Sequence, residues 1–192
     1  MDKIRKIIKC SVEIKQLIAS DEELVLKIKE AANVIINAYK NGDAGVYFCG
    51  NGGSAADAQH LAAELSGRFY FDREPLKSEA LHVNTSYLTA VANDYSFDEV
   101  YARMIKAVGR QGDILVGIST SGNSENIVRA FKNAKALGIT TIAFTGDMGG
   151  KMKDLADILI NVPADKTPRI QEAHIMIGHI ICEIVEESLF KI

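Results

Sequence analysis

The chain has 192 residues, of which 47% are hydrophobic and 24% charged, with only 3 Pro. That profile excludes intrinsic disorder and suits one domain that buries most of its surface without a disulfide or metal staple. Lys and Arg number 22 against 25 Asp and Glu, a formal charge of -3, so there is no global positive field to hold a nucleic-acid backbone.

The N-terminal run MDKIRKIIKC lacks the uninterrupted apolar core of a secretory signal, and no stretch approaches the roughly 20 apolar residues of a membrane span. The expectation is a cytoplasmic protein with neither nucleic acid nor membrane as partner. From Lys3 to Lys40 apolar residues recur at helical spacing (Ile4, Ile7, Ile8, then Leu24, Ile28, Ala31, Ile35), with a break at Ala19-Ser20-Asp21. Two amphipathic helices are predicted. Ser20 with Glu23 reads as a capping box for the second, and Asn41-Gly42 as a terminus that tolerates positive φ.

After Gly45 the pattern changes to short apolar runs: Val46–Cys49, Asp113–Ser119, Thr140–Thr145 and Ile158–Val162, with Ala80–Val83 as a further candidate. Helical segments near Ser54–Phe69, Ser124–Leu137 and Met152–Ala156 separate most of them. A β-α-β order implies an α/β fold, a doubly wound five-stranded parallel sheet with helices on both faces. A final helix from about Arg169 to Phe190 carries apolar residues on several sides, which suggests an oligomer interface. The simplest partition is one domain over 1–192, with N-terminal helices in 1–41 and an α/β core in 42–192. The three cysteines, Cys10, Cys49 and Cys182, show no paired spacing and read as free thiols.

In an open parallel sheet, ligands bind beyond the carboxyl ends of the strands. Two such ends stand out. Gly50-Asn51-Gly52-Gly53-Ser54 brings bare N–H groups and a helix N-terminus to one spot, as a ligand loop or as a mere turn. Ser119-Thr120-Ser121-Gly122-Asn123-Ser124 places four hydroxyls ahead of a helix, which suits a phosphate monoester; the bland reading is a Ser124 N-cap. Neither run is a Walker motif or a dinucleotide fingerprint, so nucleotide binding loses weight.

His60 and Glu64, four residues apart on one helix, form either a metal-ligating pair or a surface ion pair, and the spacing alone favours the latter. The small residues around them raise the functional reading. On the last helix, Gly178 beside His179 predicts a close backbone approach or room for a ligand. His174 and His179 point to different sides. Gln171 and His179 are separated by roughly 80° and about 12 Å along the axis, so a shared ion requires extended side chains.

Four blocks, GNGGSAADAQHLAAE (Gly50–Glu64), NTSYLTAVANDY (Asn84–Tyr95), STSGNS (Ser119–Ser124) and RIQEAHIMIGH (Arg169–His179), together resemble the phosphoheptose isomerases of the sugar-isomerase (SIS) domain superfamily. The resemblance spans nearly the whole chain. It implies interconversion of sedoheptulose 7-phosphate and D-glycero-D-manno-heptose 7-phosphate through an enediol, the first step of heptose synthesis for lipopolysaccharide or capsule. It implies that Asn51, Gly52, Gly53, Glu64, Asn93, Asp94, Ser119, Thr120, Ser121, Ser124 and Gln171 hold the sugar phosphate. Glu64 and His179 become the acid–base pair, and His60, Glu64, Gln171 and His179 the ligands of one zinc per subunit. A homotetramer with active sites between subunits is implied as well. The rival within the superfamily is a non-catalytic binding protein that associates with a replication initiator; the presence of both Glu64 and His179 argues for catalysis.

Overall fold

A computed structural model describes residues 1–190; the last two residues of the expected domain, 191 and 192, lie outside the described residues. The two N-terminal helices are α1 (Asp2–Ser20) and α2 (Glu22–Asn41). Their junction is capped one residue later than the sequence suggested: the Asp21 carboxylate accepts from the Leu24 N–H, whereas the Ser20 hydroxyl turns back to the Leu17 carbonyl. A carboxylate at this position also faces the positive end of the helix. Gly42 ends α2 in an extended conformation, φ 169°, so the positive φ expected there is not used.

The core follows as β1 (Val46–Gly50), α3 (Gly53–Ser66), β2 (Ser78–Ala80), α4 (Thr85–Asp94), α5 (Val100–Val108), β3 (Ile114–Ser119), α6 (Glu125–Ala136), β4 (Thr140–Thr145), β5 (Ile158–Asn161) and α7 (Thr167–Phe190). The five strands are all parallel in the order β2-β1-β3-β4-β5, as the β-α-β alternation predicts. Strand side chains alternate between two cores. Val46, Phe48, Ile114, Val116 and Ile118 join α2, α3 and α7 on one face, while Tyr47, Cys49 and Leu115 join α4, α5 and α6 on the other.

Two local expectations need correction. The strand proposed over Ala80–Val83 ends at Ala80, because the Leu81 N–H makes the last bond to β1 and Val83 then turns back onto the Ala80 carbonyl. The helix proposed for Met152–Ala156 is replaced by one 3-10 turn at Gly150–Met152, forced by positive φ at Gly149 and Gly150. On α7, Ile170, Ile177, Ile181 and Val185 are buried among α2, α3 and the sheet, whereas Ile180 is exposed. A further exposed apolar stripe runs along α1, at Ile4, Ile7, Ile8, Val12 and Leu17.

The three cysteines are free thiols, as expected, and burial pushes the pKa values of Cys49 and Cys182 up, which keeps both protonated and unreactive. No helix among the described residues is long and apolar enough to cross a membrane.

His174 is fully buried against Phe144, its Nε2–H donating to the Thr145 carbonyl at 3.0 Å and its Nδ1 without a partner. Burial brings its pKa down to about 4, outweighing the opposing effect of the Thr145 bond. An unfolded histidine titrates near 6.5, so below that pH the unfolded chain binds a proton that the folded chain refuses. Stability is expected to fall by about 3 kcal/mol as pH drops from 6.5 through 4. Urea unfolding across this window, compared with His174→Asn, isolates the effect: equal pH slopes in the two proteins would refute it.

Candidate active site

The two loops singled out in the sequence meet where the strand order reverses. β1 feeds α3 on one face of the sheet and its neighbour β3 feeds α6 on the other, which opens a crevice between their carboxyl ends. Register sets Gly50 opposite Ile118, so the glycine loop and the hydroxyl loop start side by side. A reciprocal amide pair joins them: Asn51 Nδ2 donates to Asn126 Oδ1 at 3.0 Å, and Asn126 Nδ2 to Asn51 Oδ1 at 2.9 Å. The pair uses one N–H and one oxygen lone pair of Asn51 and ties the two loops together. The glycine loop also brings the backbone of Gly52 and Gly53 to the start of α3.

In the hydroxyl loop, Ser124 occupies the N-cap position of α6 but makes no capping bond. Its hydroxyl meets Ser119 Oγ at 2.9 Å, and Ser119 lies 3.5 Å from Ser121 Oγ. Three hydroxyls therefore converge on each other rather than on the helix end, which removes the bland reading of Ser124. The loop is held from below by Gly146–Met152: the Gly146 N–H donates to the Thr120 carbonyl, the Met152 N–H to the Gly122 carbonyl and the Lys151 N–H to Asn123 Oδ1. Gly122 has φ +64°, and a Cβ there would lie 2.1 Å from the Gly149 carbonyl oxygen.

Sequence reasoning missed this support, and Asn126 and Tyr101 with it. The Gly149-Gly150 doublet was the available signal for the first. Tyr101, whose hydroxyl donates to the Gly50 carbonyl, carries no local signal.

Asn93 and Asp94 end α4, both exposed, with Asn93 Nδ2 donating to Asp94 Oδ1. The turn after them is tied to α6 through Arg129, which pairs with Asp98, Glu99 and Glu125. That brings the end of α4 to the hydroxyl-loop side of the sheet.

Glu64 and His179 come together from α3 and α7. His60 Nε2 lies 2.9 Å from Glu64 Oε1 and 3.4 Å from His179 Nε2, and the two imidazoles stack edge-on with centroids 4.9 Å apart. The helices approach closely enough for this because Gly178 has no side chain: a Cβ there would stand 2.6 Å from the Leu61 methyls. The close approach expected at Gly178 is therefore made by α3.

Two facing imidazole nitrogens repel unless a proton or a cation lies between them. One atom each from His60, Glu64 and His179 lies within 4.8 Å of the others. Two imidazoles and a carboxylate are the donor set of many zinc sites that keep a position open for substrate. The Gln171 amide packs on Gly53, where a Cβ would be 2.6 Å from Nε2. Beside His179, a cleft of about 630 Å³ is lined by Phe69, Tyr70, Glu172 and Met176 among others and by no residue of the hydroxyl loop.

A doubly wound sheet with a hydroxyl loop at its switch point and an imidazole–carboxylate cluster on the flanking helices defines a SIS-domain protein. The SIS domain family model matches residues 12–146, and the chain belongs to that family.

Within it the chain stands among the phosphoheptose isomerases. It is 54% identical to the phosphoheptose isomerase of Sulfurimonas denitrificans over 187 residues, 97% of this chain and 95% of that protein. Its fold is similar to the solved structure of phosphoheptose isomerase GmhA from Neisseria gonorrhoeae (TM-score 0.91, 42% identity, 97% of this chain and 98% of that one). It is equally similar to that of a phosphoheptose isomerase from Francisella tularensis (TM-score 0.92, 37% identity, 97% of each).

Proposed function

We propose that the protein interconverts sedoheptulose 7-phosphate and D-glycero-D-manno-heptose 7-phosphate, and that Glu64 and His179 move the protons. The observation that carries this reading is the meeting of Glu64, His60 and His179 on α3 and α7, in a fold that also presents a phosphate-suited hydroxyl loop.

The substrate phosphate binds the hydroxyls of Ser119, Ser121 and Ser124, the backbone of Thr120 and the N-terminus of α3 at Gly52 and Gly53, with Asn51, Asn93, Asp94 and Gln171 taking sugar hydroxyls. Neutral donors and a helix dipole hold a dianion without a basic side chain. Anchoring the far end of the chain fixes the position of C1 and C2. Glu64 removes the proton from one carbon and returns it to the other across a cis-enediol, and His179 relays the proton between the two oxygens. His60, bonded to Glu64, orients the carboxylate.

His60, Glu64 and His179, with Gln171 as a further ligand, would hold one zinc per subunit. When bound, the ion supplies Lewis-acid polarisation of the carbonyl.

The working form is a homotetramer with active sites between subunits. Two observations support this. The apolar stripe of α1 is exposed. His60 and Glu64 also lie seven and eleven residues beyond Gly53 on α3, about 10 and 16 Å along its axis. Proton-transfer cluster and hydroxyl loop thus occupy different ends of one helix, and a neighbouring protomer brings the complementary end of its own. We place the enzyme in the cytoplasm, where a phosphorylated sugar is available.

The direct experiment incubates purified protein with sedoheptulose 7-phosphate, with and without a chelator. Formation of the aldose phosphate is expected, together with loss on chelation and return with added zinc. Absence of turnover with zinc present would overturn the isomerase reading in favour of a binding module, and activity indifferent to chelation would overturn the zinc assignment alone.

A further inference from the structure

The acid–base cluster is assembled from two helices that share no covalent frame, so something must set the distance between them. Near Gly178 and Leu61 that distance is fixed by apolar contact. Beyond the cluster it is fixed by charge. Arg73 and Glu186 form a pair whose side chains are 2% and 1% exposed, with Arg73 Nε donating to Glu186 Oε1 at 2.8 Å.

Arg73 acts on α3. Its guanidinium donates to the backbone carbonyls of Glu64 (2.9 Å), Leu65 (2.9 Å) and Gly67 (3.2 Å). Glu64 and Leu65 belong to the last turn and Gly67 caps it; carbonyls at this end lack helical partners and carry the negative end of the dipole. One of them is the carbonyl of Glu64 itself.

Glu186 acts from α7. It follows His179 by seven residues, a rotation that returns to within about 20° of the same face, two turns further on. Its carboxylate also accepts the backbone N–H groups of Phe69, Tyr70 and Phe71. Burial alone would push its pKa up, but these bonds and Arg73 outweigh burial and hold it below the usual carboxylate range. Gathering three successive N–H groups fixes the loop after α3, and that loop sets the Phe69 ring 5.8 Å from the His179 ring.

We propose that Arg73 and Glu186 are positioning residues for proton transfer: the buried pair sets the α3–α7 separation at which Glu64 meets His179, and it presses Phe69 against the His179 imidazole. Neither residue touches substrate. The proposal rests on the reading of Glu64 and His179 as the acid–base pair.

A pair that merely stabilised the fold would act differently. A buried ion pair contributes little net stability, and replacing both members by neutral residues of similar volume is often tolerated, whereas removing one is costly. Two variants separate the roles, each assayed as the zinc-loaded native oligomer with sedoheptulose 7-phosphate and checked by circular dichroism. Arg73→Lys keeps the charge but loses the planar fork that reaches several carbonyls. Arg73→Met with Glu186→Gln removes the desolvated charges while keeping volume.

In both, kcat is expected to fall by about 10- to 100-fold, the scale of an ångström of misplacement. KM should stay within about twofold, because the hydroxyl loop lies at the other end of α3. Guanidinium ion at millimolar concentration should restore part of the kcat of Arg73→Ala, and ammonium should not. A folded variant with kcat within about twofold of the parent, or a loss confined to KM, would overturn the proposal.

Should both pair variants fail to fold, Phe69→Ala decides, since it leaves the pair intact; an unchanged kcat there counts against the proposal. Failure of the underlying reading looks different: Glu64→Gln would then be active, whatever Arg73 variants do.

Discussion

Glu64→Gln is expected to lower kcat by about 10²- to 10⁴-fold, the usual contribution of a positioned base, equivalent to about 3–5 kcal/mol in the barrier. The amide keeps the size of the carboxyl and an oxygen to face His60, which lies 2.9 Å from Glu64 Oε1 in the parent. It cannot accept a proton from carbon. Glu64 is partly exposed, with 23% of its side chain accessible, so the substitution creates no buried cavity or unpaired buried charge, and the folded oligomer should persist. Steady-state assay with circular dichroism checks this, and a kcat within tenfold of the parent would remove Glu64 from the proton path.

Gly122→Ala should act on the other half of the site, raising KM for the sugar phosphate by roughly tenfold or more while leaving the chemistry of bound substrate largely intact. The cause is twofold. A left-handed conformation costs a non-glycine residue roughly 1–2 kcal/mol, and the new Cβ would lie 2.1 Å from the Gly149 carbonyl oxygen. Because that neighbour is backbone, relief must come from moving the hydroxyl loop itself. Gly112→Ala is the control: φ is +89° but nothing lies within 4 Å of the added Cβ, so stability should fall with KM unchanged. Equal KM shifts in both variants would disconnect the loop from phosphate binding.

Much of this architecture is legible in the chain. β1, β3 and β4 announce themselves as apolar runs because both faces of the sheet are buried there, the edge strand β5 by a shorter run with alternate residues buried, and α6 and α7 by their apolar period. The helices between β2 and β3 leave weaker traces. In α4 only Val91 is buried, and its Thr, Ser and Asn residues read as loop. The turn at Gly150–Met152 hides for another reason, since its shape answers to Gly122, far away in sequence.

The site divides along the same line. Local signals reveal the hydroxyl loop, since four hydroxyls exceed what one helix cap needs. The cluster joins His60 to His179 across 119 residues and Arg73 to Glu186 across 113, and no local pattern encodes such meetings. The resemblance supplied the first pair; the second emerges only from packing.

One consequence of α3 concerns its length rather than its composition. The helix is a rod that carries an anion cradle at one tip and a base near the other, and each residue advances the chain by 1.5 Å and 100°. Inserting a single alanine between Gly53 and His60 would leave every named side chain present yet swing His60 and Glu64 a quarter-turn away from α7. The number of residues between the cradle and the base therefore matters to the site as much as the identity of any of them.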